Sequence, residues 1–268
     1  MKSIRSRDNL FFKELVKLAG SSRQRGKVNQ TLLDGAHLLA AYRDAGMQPQ
    51  HILLNTIALR DAEIAGLLDG LSDVPVTQLD DKLFAELSEL KTPTGLLALI
   101  ALPEALAPIA QSRFALLLED IQDPGNLGSM LRSAAAAGCD AVFLSQSCAD
   151  AWSPKVLRAA MGGHFALRIY VQQDLLNVAK TFSGTLLATS LQATRSLYDC
   201  DLRGDVAFLV GNEGLGLSAE LLNLATQKIS IPMPGKVESL NAAAATAICL
   251  FEAVRQRTVG ARFIAPFF

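Results

Sequence analysis

The segment LLLEDIQDPGNLGSMLRSAAAAG, Leu116–Gly138, decides the fold because it contains a strand, a turn and a helix in succession. An apolar run ends in acids, a Pro-Gly turn follows, and a helix of small residues begins near Asn126. Backbone amides at such a helix start favour an anion. Arg132, less than two helical turns further on, can lean back toward the same edge of a sheet. A plain connection, with Asn126 as the N-cap and Arg132 in solvent, explains this segment equally well.

Further strands and helices alternate around this segment. Apolar runs typical of strands lie at Phe114–Leu118, Ala141–Leu144, Leu167–Val171, Thr185–Thr189, Val206–Val210 and Lys228–Ile231. Helical stretches separate most of them, and this alternation predicts a parallel sheet covered by helices. The last helix, Leu240–Gln256, is apolar on several faces, which predicts burial in the core or against a second subunit.

The first hundred residues predict a smaller α/β unit. Helices are predicted near Asn9–Ala19, Leu32–Ala45, Ala58–Leu68 and Asp80–Leu87, and strands at His51–Leu54 and Thr94–Ala101. Ser21–Lys27 is predicted to separate the first two helices. After the strand at Thr94–Ala101, the stretch Leu102–Ser112 contains two prolines and no clear hydrophobic period, which predicts a linker. We therefore expect domains at 1–103 and 113–268, joined by residues 104–112.

Composition and charge exclude several classes of protein. With 50% apolar and 19% charged residues, the chain is globular rather than disordered. Its longest apolar run, Leu96–Leu102, is far below the roughly 20 residues of a membrane span, and the start lacks a secretory signal, so a cytoplasmic protein is expected. The four cysteines form no C-x-x-C pair, which indicates neither zinc nor disulfides.

Two later segments carry candidate site residues. FLVGNEGLGLS, Phe208–Ser218, places glycines after a strand, where ligands bind at the carboxyl ends of parallel strands. Its spacing is not that of a dinucleotide-binding fingerprint. ISIPMPGKVESLN, Ile229–Asn241, leaves the sheet through two prolines and enters the last helix. A turn and an N-cap at Ser239 would account for much of both segments.

Taken together, DPGNLGSMLRSAAAAG, LVGNEGLGLS and IPMPGKVESLNAAAATAI resemble, in order, the three motifs of the SpoU (TrmH-type) RNA 2'-O-ribose methyltransferases of the SPOUT superfamily. The resemblance covers Phe114–Arg257, and Ser6–Gly46 is similar to the L30e-like substrate-binding domain often fused in this family. It implies a small L30e-like α/β domain followed by a SPOUT α/β domain with a parallel sheet and a C-terminal deep trefoil knot. It also implies a homodimer and the cofactor S-adenosyl-L-methionine. No metal is expected, because displacement from a sulfonium needs none and the sequence shows no ligand cluster.

The resemblance also implies site residues. The family's catalytic positions map onto Arg132, Asn126, Glu213, Ser239 and Asn241. Cofactor contacts, largely through main-chain groups, map onto Leu191, Gly211, Ile231, Met233, Ser239 and Leu240. The family assigns proton removal to Arg132, but a guanidinium with a pKa above about 12 is better suited to stabilise an alkoxide through the adjacent phosphate.

The expected activity is methylation of a ribose 2'-hydroxyl, with ribosomal RNA of the 23S type as the expected substrate. Transfer RNA, or a catalytically silent RNA-binding module of the same fold, are the alternatives. A nucleotide-dependent oxidoreductase conflicts with the glycine spacing, and a ribosomal structural protein conflicts with the net charge of -1. RNA contacts are expected from two basic stretches: Lys2, Arg5, Arg7, Lys13, Lys17, Arg23, Arg25 and Lys27; and Lys155, Arg158, His164 and Arg168. His164 is expected to serve packing or a phosphate contact.

Overall fold

In a computed structural model, which describes residues 2–88, 90, 93–103 and 112–258, the chain divides into two units. Met1–Glu104 and Asp150–Phe165 form the N-terminal unit, and Ala105–Ala149 and Ala166–Phe268 form the C-terminal unit. Of the predicted linker 104–112, only Ser112 is among the described residues. No helix in the described ranges is both long and apolar enough to cross a membrane.

The N-terminal unit contains a mixed sheet with helices. Its strands, in the spatial order β1-β4-β3-β5-β2, are antiparallel where β5 meets β2 and β3, and parallel elsewhere. The elements in chain order are β1 (Lys2–Ile4), α1 (Leu10–Gly20), α2 (Ser22–Val28), β2 (Gln30–Asp34), α3 (Ala36–Asp44), β3 (His51–Leu54), a 3-10 turn (Ala58–Arg60), α4 (Ala62–Leu68), β4 (Val76–Leu79), α5 (Asp81–Leu87) and β5 (Leu96–Ala101).

Two secondary-structure predictions for residues 21–45 of this unit are wrong. The predicted break at 21–27 is the helix α2, because the Ser21 side chain accepts a hydrogen bond from the Gln24 amide and Asn29, at φ 53°, ends the helix. The first three residues of the predicted helix 32–45 lie in β2, which pairs with β5. Gly35, at φ 115°, separates β2 from α3 with a backbone conformation that other residues rarely adopt.

The C-terminal unit contains the predicted parallel sheet. Its strand order is β10-β12-β9-β11-β6-β7-β8, and every neighbouring pair is parallel. The elements of the second half of the chain are β6 (Phe114–Leu118), α6 (Pro124–Ala136), β7 (Ala141–Leu144), α7 (Pro154–Ala160), β8 (Arg168–Tyr170), α8 (Leu175–Thr181), β9 (Thr185–Thr189), β10 (Arg195–Ser196), β11 (Val206–Val210), α9 (Ala219–Leu224), β12 (Gln227–Ser230) and α10 (Ala242–Thr258).

This sheet positions the carboxyl ends of its central strands at one edge. β6 and β11 are buried along their whole length, and α6 packs against α10 beside them. The strand β10, two residues long, gave no sequence signal. The predicted trefoil knot concerns the threading of loops, which strand order does not describe, and it stays a prediction.

Residues 150–165 leave the C-terminal unit and pack within the N-terminal unit. α7 lies against β2, and the Thr31 hydroxyl donates to the Trp152 carbonyl at 2.7 Å. The Arg25 guanidinium, 5% exposed, donates from Nε to Asp150 Oδ2 at 2.7 Å and from Nη1 to the carbonyl of Ala19 at 2.9 Å. The predicted RNA contact at Arg25 is therefore wrong, because its charge is buried and paired.

An aromatic cluster in the segment 150–165 contains a fully buried histidine. His164 Nε2 donates to the carbonyl of Ala151 at 2.7 Å, and the ring lies 5.1 Å from that of Trp152. Burial is the main cause that lowers the pKa of His164 to about 4. The residue therefore serves packing, which was one of the two predicted roles.

We expect Asp150→Ala to destabilise the N-terminal unit by about 3 kcal/mol, because it leaves the buried Arg25 guanidinium without a counter-charge. Unfolding in denaturant, followed by fluorescence of Trp152, the chain's single tryptophan, measures the change. Asp8→Ala is the matched control, since Asp8 pairs with Lys13 in solvent, and it should leave the midpoint unchanged. Equal midpoints for both variants would contradict this account of Arg25.

The pH dependence of the unfolding transition tests the contribution of His164 to stability. Its pKa is lower in the folded chain than the value of about 6.5 expected after unfolding, so its contribution is present above pH 6.5 and is lost toward pH 4. This loss should reach about 3 kcal/mol at pH 4. His164→Gln keeps an amide donor for the Ala151 carbonyl and does not titrate, so stability should fall less steeply across this window. The same slope in both proteins would rule out the histidine as the cause.

Candidate active site

A cleft of about 880 Å³ lies at the carboxyl ends of β9, β11 and β12, within the C-terminal unit. Three loops form its walls: residues 189–192 after β9, 210–217 after β11, and 229–242 between β12 and α10. Parallel sheets bind ligands at this edge, where loops of different strands converge. The cleft is therefore the candidate active site.

The glycine-rich loop after β11 is closed by its own hydrogen bonds. Asn212 Oδ1 accepts from the amides of Gly214 and Leu215 at 2.9 and 3.0 Å, and Asn212 Nδ2 donates to the carbonyl of Asp120 at 2.9 Å. A Cβ on Gly211 would lie 2.3 Å from the backbone carbonyl of Gly216, so only glycine fits there. This packing accounts for Gly211 and for Asn212, whose role was not predicted from sequence.

A chain of hydrogen bonds joins the three sequence motifs in the cleft. Asn126 Nδ2 donates to Glu213 Oε1 at 2.9 Å, and Asn241 Nδ2 donates to Asn126 Oδ1 at 2.9 Å. The bonds fix the orientation of the Asn126 amide, because its oxygen and its nitrogen each have a partner. Residues far apart in sequence thus form one polar group at the mouth of the cleft.

The helix caps differ from the simplest interpretation of the sequence. Asp123, rather than Asn126, caps α6, since its Oδ1 accepts the Asn126 amide at 2.7 Å. Asn241 Oδ1 accepts the amides of Ala243 and Ala244, so Asn241 rather than Ser239 caps α10. Ser239 is exposed and lines the cleft. Asn126 and Ser239 are therefore not needed as caps, and both are available to a ligand.

The predicted site residues meet in this cleft with one exception. Each predicted cofactor residue lines it, namely Leu191, Gly211, Ile231, Met233, Ser239 and Leu240, and so do the predicted catalytic residues Asn126, Glu213, Ser239 and Asn241. Arg132 does not line it. Its side chain is exposed on α6, about 9 Å along the helix axis from Asn126, and forms no hydrogen bond or ion pair with a described residue.

The walls of the cleft are mostly apolar or backbone. Leu215 and Val237, which the sequence did not single out, also line it and are 91% and 64% exposed. Burial raises the pKa of the Cys249 thiol, at the base of the cleft, to about 12. Among the described lining residues, Glu213 therefore carries the single charge. The described residues contain no group of three or more side chains suited to hold a metal ion.

Most of the second basic stretch has a structural role. Arg158 forms an ion pair in the N-terminal unit, His164 is buried, and Arg168 Nε donates to the carbonyl of Asp140 at 2.8 Å. Lys155 alone of this stretch is exposed. The first stretch, apart from Arg25, is exposed on the N-terminal unit.

Comparison with known proteins identifies matching families for both parts of the chain. Residues 113–251 match the model of the SpoU rRNA methylase family, and residues 9–98 match the MRM3-like substrate binding domain. The 23S rRNA (guanosine(2553)-2'-O)-methyltransferase RlmP of Bacillus subtilis is 33% identical over 254 residues, which cover 94% of this chain and 98% of that protein.

Solved structures agree with the sequence matches. The crystal structure of an RNA 2'-O ribose methyltransferase has a TM-score of 0.80 and 32% identity, covering 95% of this chain and 99% of that one. The SpoU methyltransferase AviRb from Streptomyces viridochromogenes, in complex with AdoMet, has a TM-score of 0.81 and 26% identity, covering 94% and 100%.

These matches confirm the predicted α/β fold with a parallel sheet and the predicted pairing of a substrate-binding domain with a methyltransferase domain. The three motifs that the resemblance used are those that the hydrogen bonds of Asn126 join in the cleft. The chain belongs to the SpoU rRNA methylase family.

Proposed function

We propose that this chain is an S-adenosylmethionine-dependent methyltransferase that methylates a ribose 2'-hydroxyl of ribosomal RNA, of the 23S type. The observation that carries the proposal is the cleft in which Asn126, Glu213, Ser239 and Asn241 meet, in a member of the SpoU family. The Bacillus subtilis relative, which acts on a guanosine of 23S rRNA, supports the choice of RNA. We also propose that the protein acts in the cytoplasm.

The residues of the cleft fit the cofactor. Backbone groups of glycine- and proline-containing loops, together with apolar side chains such as Leu191, Met233 and Leu240, suit an adenine and a ribose. One carboxylate, that of Glu213, suits a cation. When bound, S-adenosylmethionine supplies an electrophilic methyl group on a positively charged sulfur. Leu191, Gly211, Ile231, Met233, Ser239 and Leu240 would hold it.

The chain's own part in the reaction is chiefly to position the ribose. The Asn126 and Asn241 amides are fixed by each other and by Glu213, and each has one N–H without a partner among the described residues. Such fixed donors hold a sugar hydroxyl in line for attack at little entropic cost. The Ser239 hydroxyl lines the same cleft and can orient the ribose from the α10 side.

Arg132 is proposed to act on the phosphate beside the target ribose. Its side chain is exposed and does not line the cleft, so it suits a part of the RNA that lies outside the cleft. Because a guanidinium rarely loses its proton, Arg132 suits stabilisation of the phosphate and of a developing alkoxide better than proton removal. A water or the phosphate then takes the proton.

The N-terminal unit is proposed to bind RNA through its exposed cations. Arg7 and Lys13 pair with carboxylates at the surface. The other exposed members of the first basic stretch form no ion pair with a described residue: Lys2, Arg5, Lys17, Arg23 and Lys27. Cations of this kind contribute affinity for phosphates regardless of sequence, and weaken with added salt.

The chain is further proposed to form a homodimer through α10. Ala244 and Phe251 are exposed, and Ile248 is half-buried, at a spacing that places them on one face of the helix. Phe251 is 46% exposed. An apolar stripe on a helix is typical of a protein interface. The segment 261–268, also predicted to contribute, lies outside the described residues.

Arg132→Ala should lower methyl transfer by about a hundredfold or more, because it removes a donor that stabilises charge in the transition state. Labelled methyl transfer from S-adenosylmethionine to unmodified 23S-type RNA, followed by nucleoside analysis, measures the rate and identifies the product. Cofactor affinity should stay nearly unchanged, since Arg132 does not line the cleft. Transfer RNA in parallel tests the alternative substrate.

Arg203→Ala is the matched control, since Arg203 is an exposed arginine of the same unit that pairs with Asp201 at the surface. It should keep full activity. Normal turnover in Arg132→Ala would refute the role of this residue. A methylated base instead of a ribose would refute the assignment of the hydroxyl, and cofactor binding without transfer to either RNA would favour the silent module.

Phe251→Asp should convert a dimer into a monomer, because it places a charge within the proposed interface. Sedimentation velocity over a range of concentrations measures the mass. Leu10→Asp, which changes an exposed leucine of the N-terminal unit, should leave the dimer intact. A wild-type protein that sediments as a monomer at every concentration would rule out the dimer.

A further inference from the structure

The charge of the cleft is concentrated on one side chain. Among the described residues that line it, Glu213 is the one with a formal charge, and the others are apolar, neutral polar or glycine. The two other charged residues of the three loops that form its walls, Lys236 and Glu238, are exposed and do not line the cleft. A ligand in the cleft therefore meets one carboxylate and no cation among the described lining residues.

This carboxylate is held in place. Its Oε1 accepts a hydrogen bond from Asn126 Nδ2 at 2.9 Å, and Asn126 is in turn fixed by Asn241. The loop that carries Glu213 is closed by the side chain of Asn212. Its second oxygen, Oε2, has no hydrogen-bond partner among the described residues. One oxygen thus holds the carboxylate in position while the other remains open to a ligand.

Methyl transfer changes the charge of the cofactor. The bond between sulfur and the methyl carbon breaks, its electron pair stays on sulfur, and the methyl carbon bonds to the ribose oxygen, which loses its proton to a water or to the adjacent phosphate. The sulfonium becomes a neutral thioether. A fixed anion attracts the first form and not the second, and in a partly solvated cleft this difference is worth on the order of tenfold in affinity.

We propose that Glu213 is a specificity-determining residue that makes the cleft prefer the cationic sulfonium cofactor over its neutral thioether product. The proposal rests on the function proposed above. Before transfer, the carboxylate favours the loaded form. After transfer the attraction is lost, so the spent cofactor binds about tenfold more weakly than the loaded one and is readily replaced by it.

Glu213→Gln is the sharpest test, because glutamine keeps the shape and an oxygen that accepts from Asn126 but removes the charge. Dissociation constants of S-adenosylmethionine and S-adenosylhomocysteine, measured by calorimetry without RNA, are compared in the two proteins. We expect the variant to bind S-adenosylmethionine about tenfold more weakly and to bind S-adenosylhomocysteine within about twofold of the wild type. Glu238→Gln makes the same change of net charge in a residue that does not line the cleft, and should alter neither constant.

The salt dependence of the wild type provides a second measurement that needs no variant. Because the carboxylate is exposed to solvent, added salt should reduce the preference for S-adenosylmethionine over S-adenosylhomocysteine. Equal losses for both ligands in Glu213→Gln would show a purely structural role and overturn the proposal, as would no change in either. A wild-type chain that binds neither ligand would instead overturn the proposed function itself.

Discussion

The hydrogen bonds from Asn241 to Asn126 and from Asn126 to Glu213 are the constraint on which the candidate site depends. They join a first helical turn, a glycine-rich loop and the start of the last helix. Each of the three segments has its own local reason to be where it is: a cap at Asp123, the closed turn of Asn212, and the cap supplied by Asn241 itself. The chain of amides converts three local structures into one site.

The C-terminal unit could be predicted well from sequence because its signals are local. Buried parallel strands are continuous apolar runs, and those at Phe114–Leu118 and Val206–Val210 are present with the predicted bounds. In the N-terminal unit, Leu32 and Leu33 fit the apolar pattern of the helix that follows them, and only pairing with β5 makes Leu32–Asp34 part of a strand. Such pairing depends on residues far away in the sequence, which no local pattern reports.

The residue types of the site could be predicted from sequence, but the structural role of each residue could not. Motif order alone brought together the residues that line the cleft. The position of Arg132 outside it, and the caps at Asp123 and Asn241, depend on how α6 and α10 are placed at the sheet edge. The burial of Arg25 shows the same limit, since an arginine in a basic stretch gives no sign that Asp150 will cover it.

The packing of residues 150–165 within the N-terminal unit has a consequence for how the protein folds during its synthesis on the ribosome. Arg25 and Thr31 belong to the first elements to be synthesised, but Asp150 and the Trp152 carbonyl, their partners, follow more than a hundred residues later. The N-terminal unit therefore cannot be completed as soon as its own strands have emerged. Part of the second unit must be translated first, which links the maturation of the two units in time.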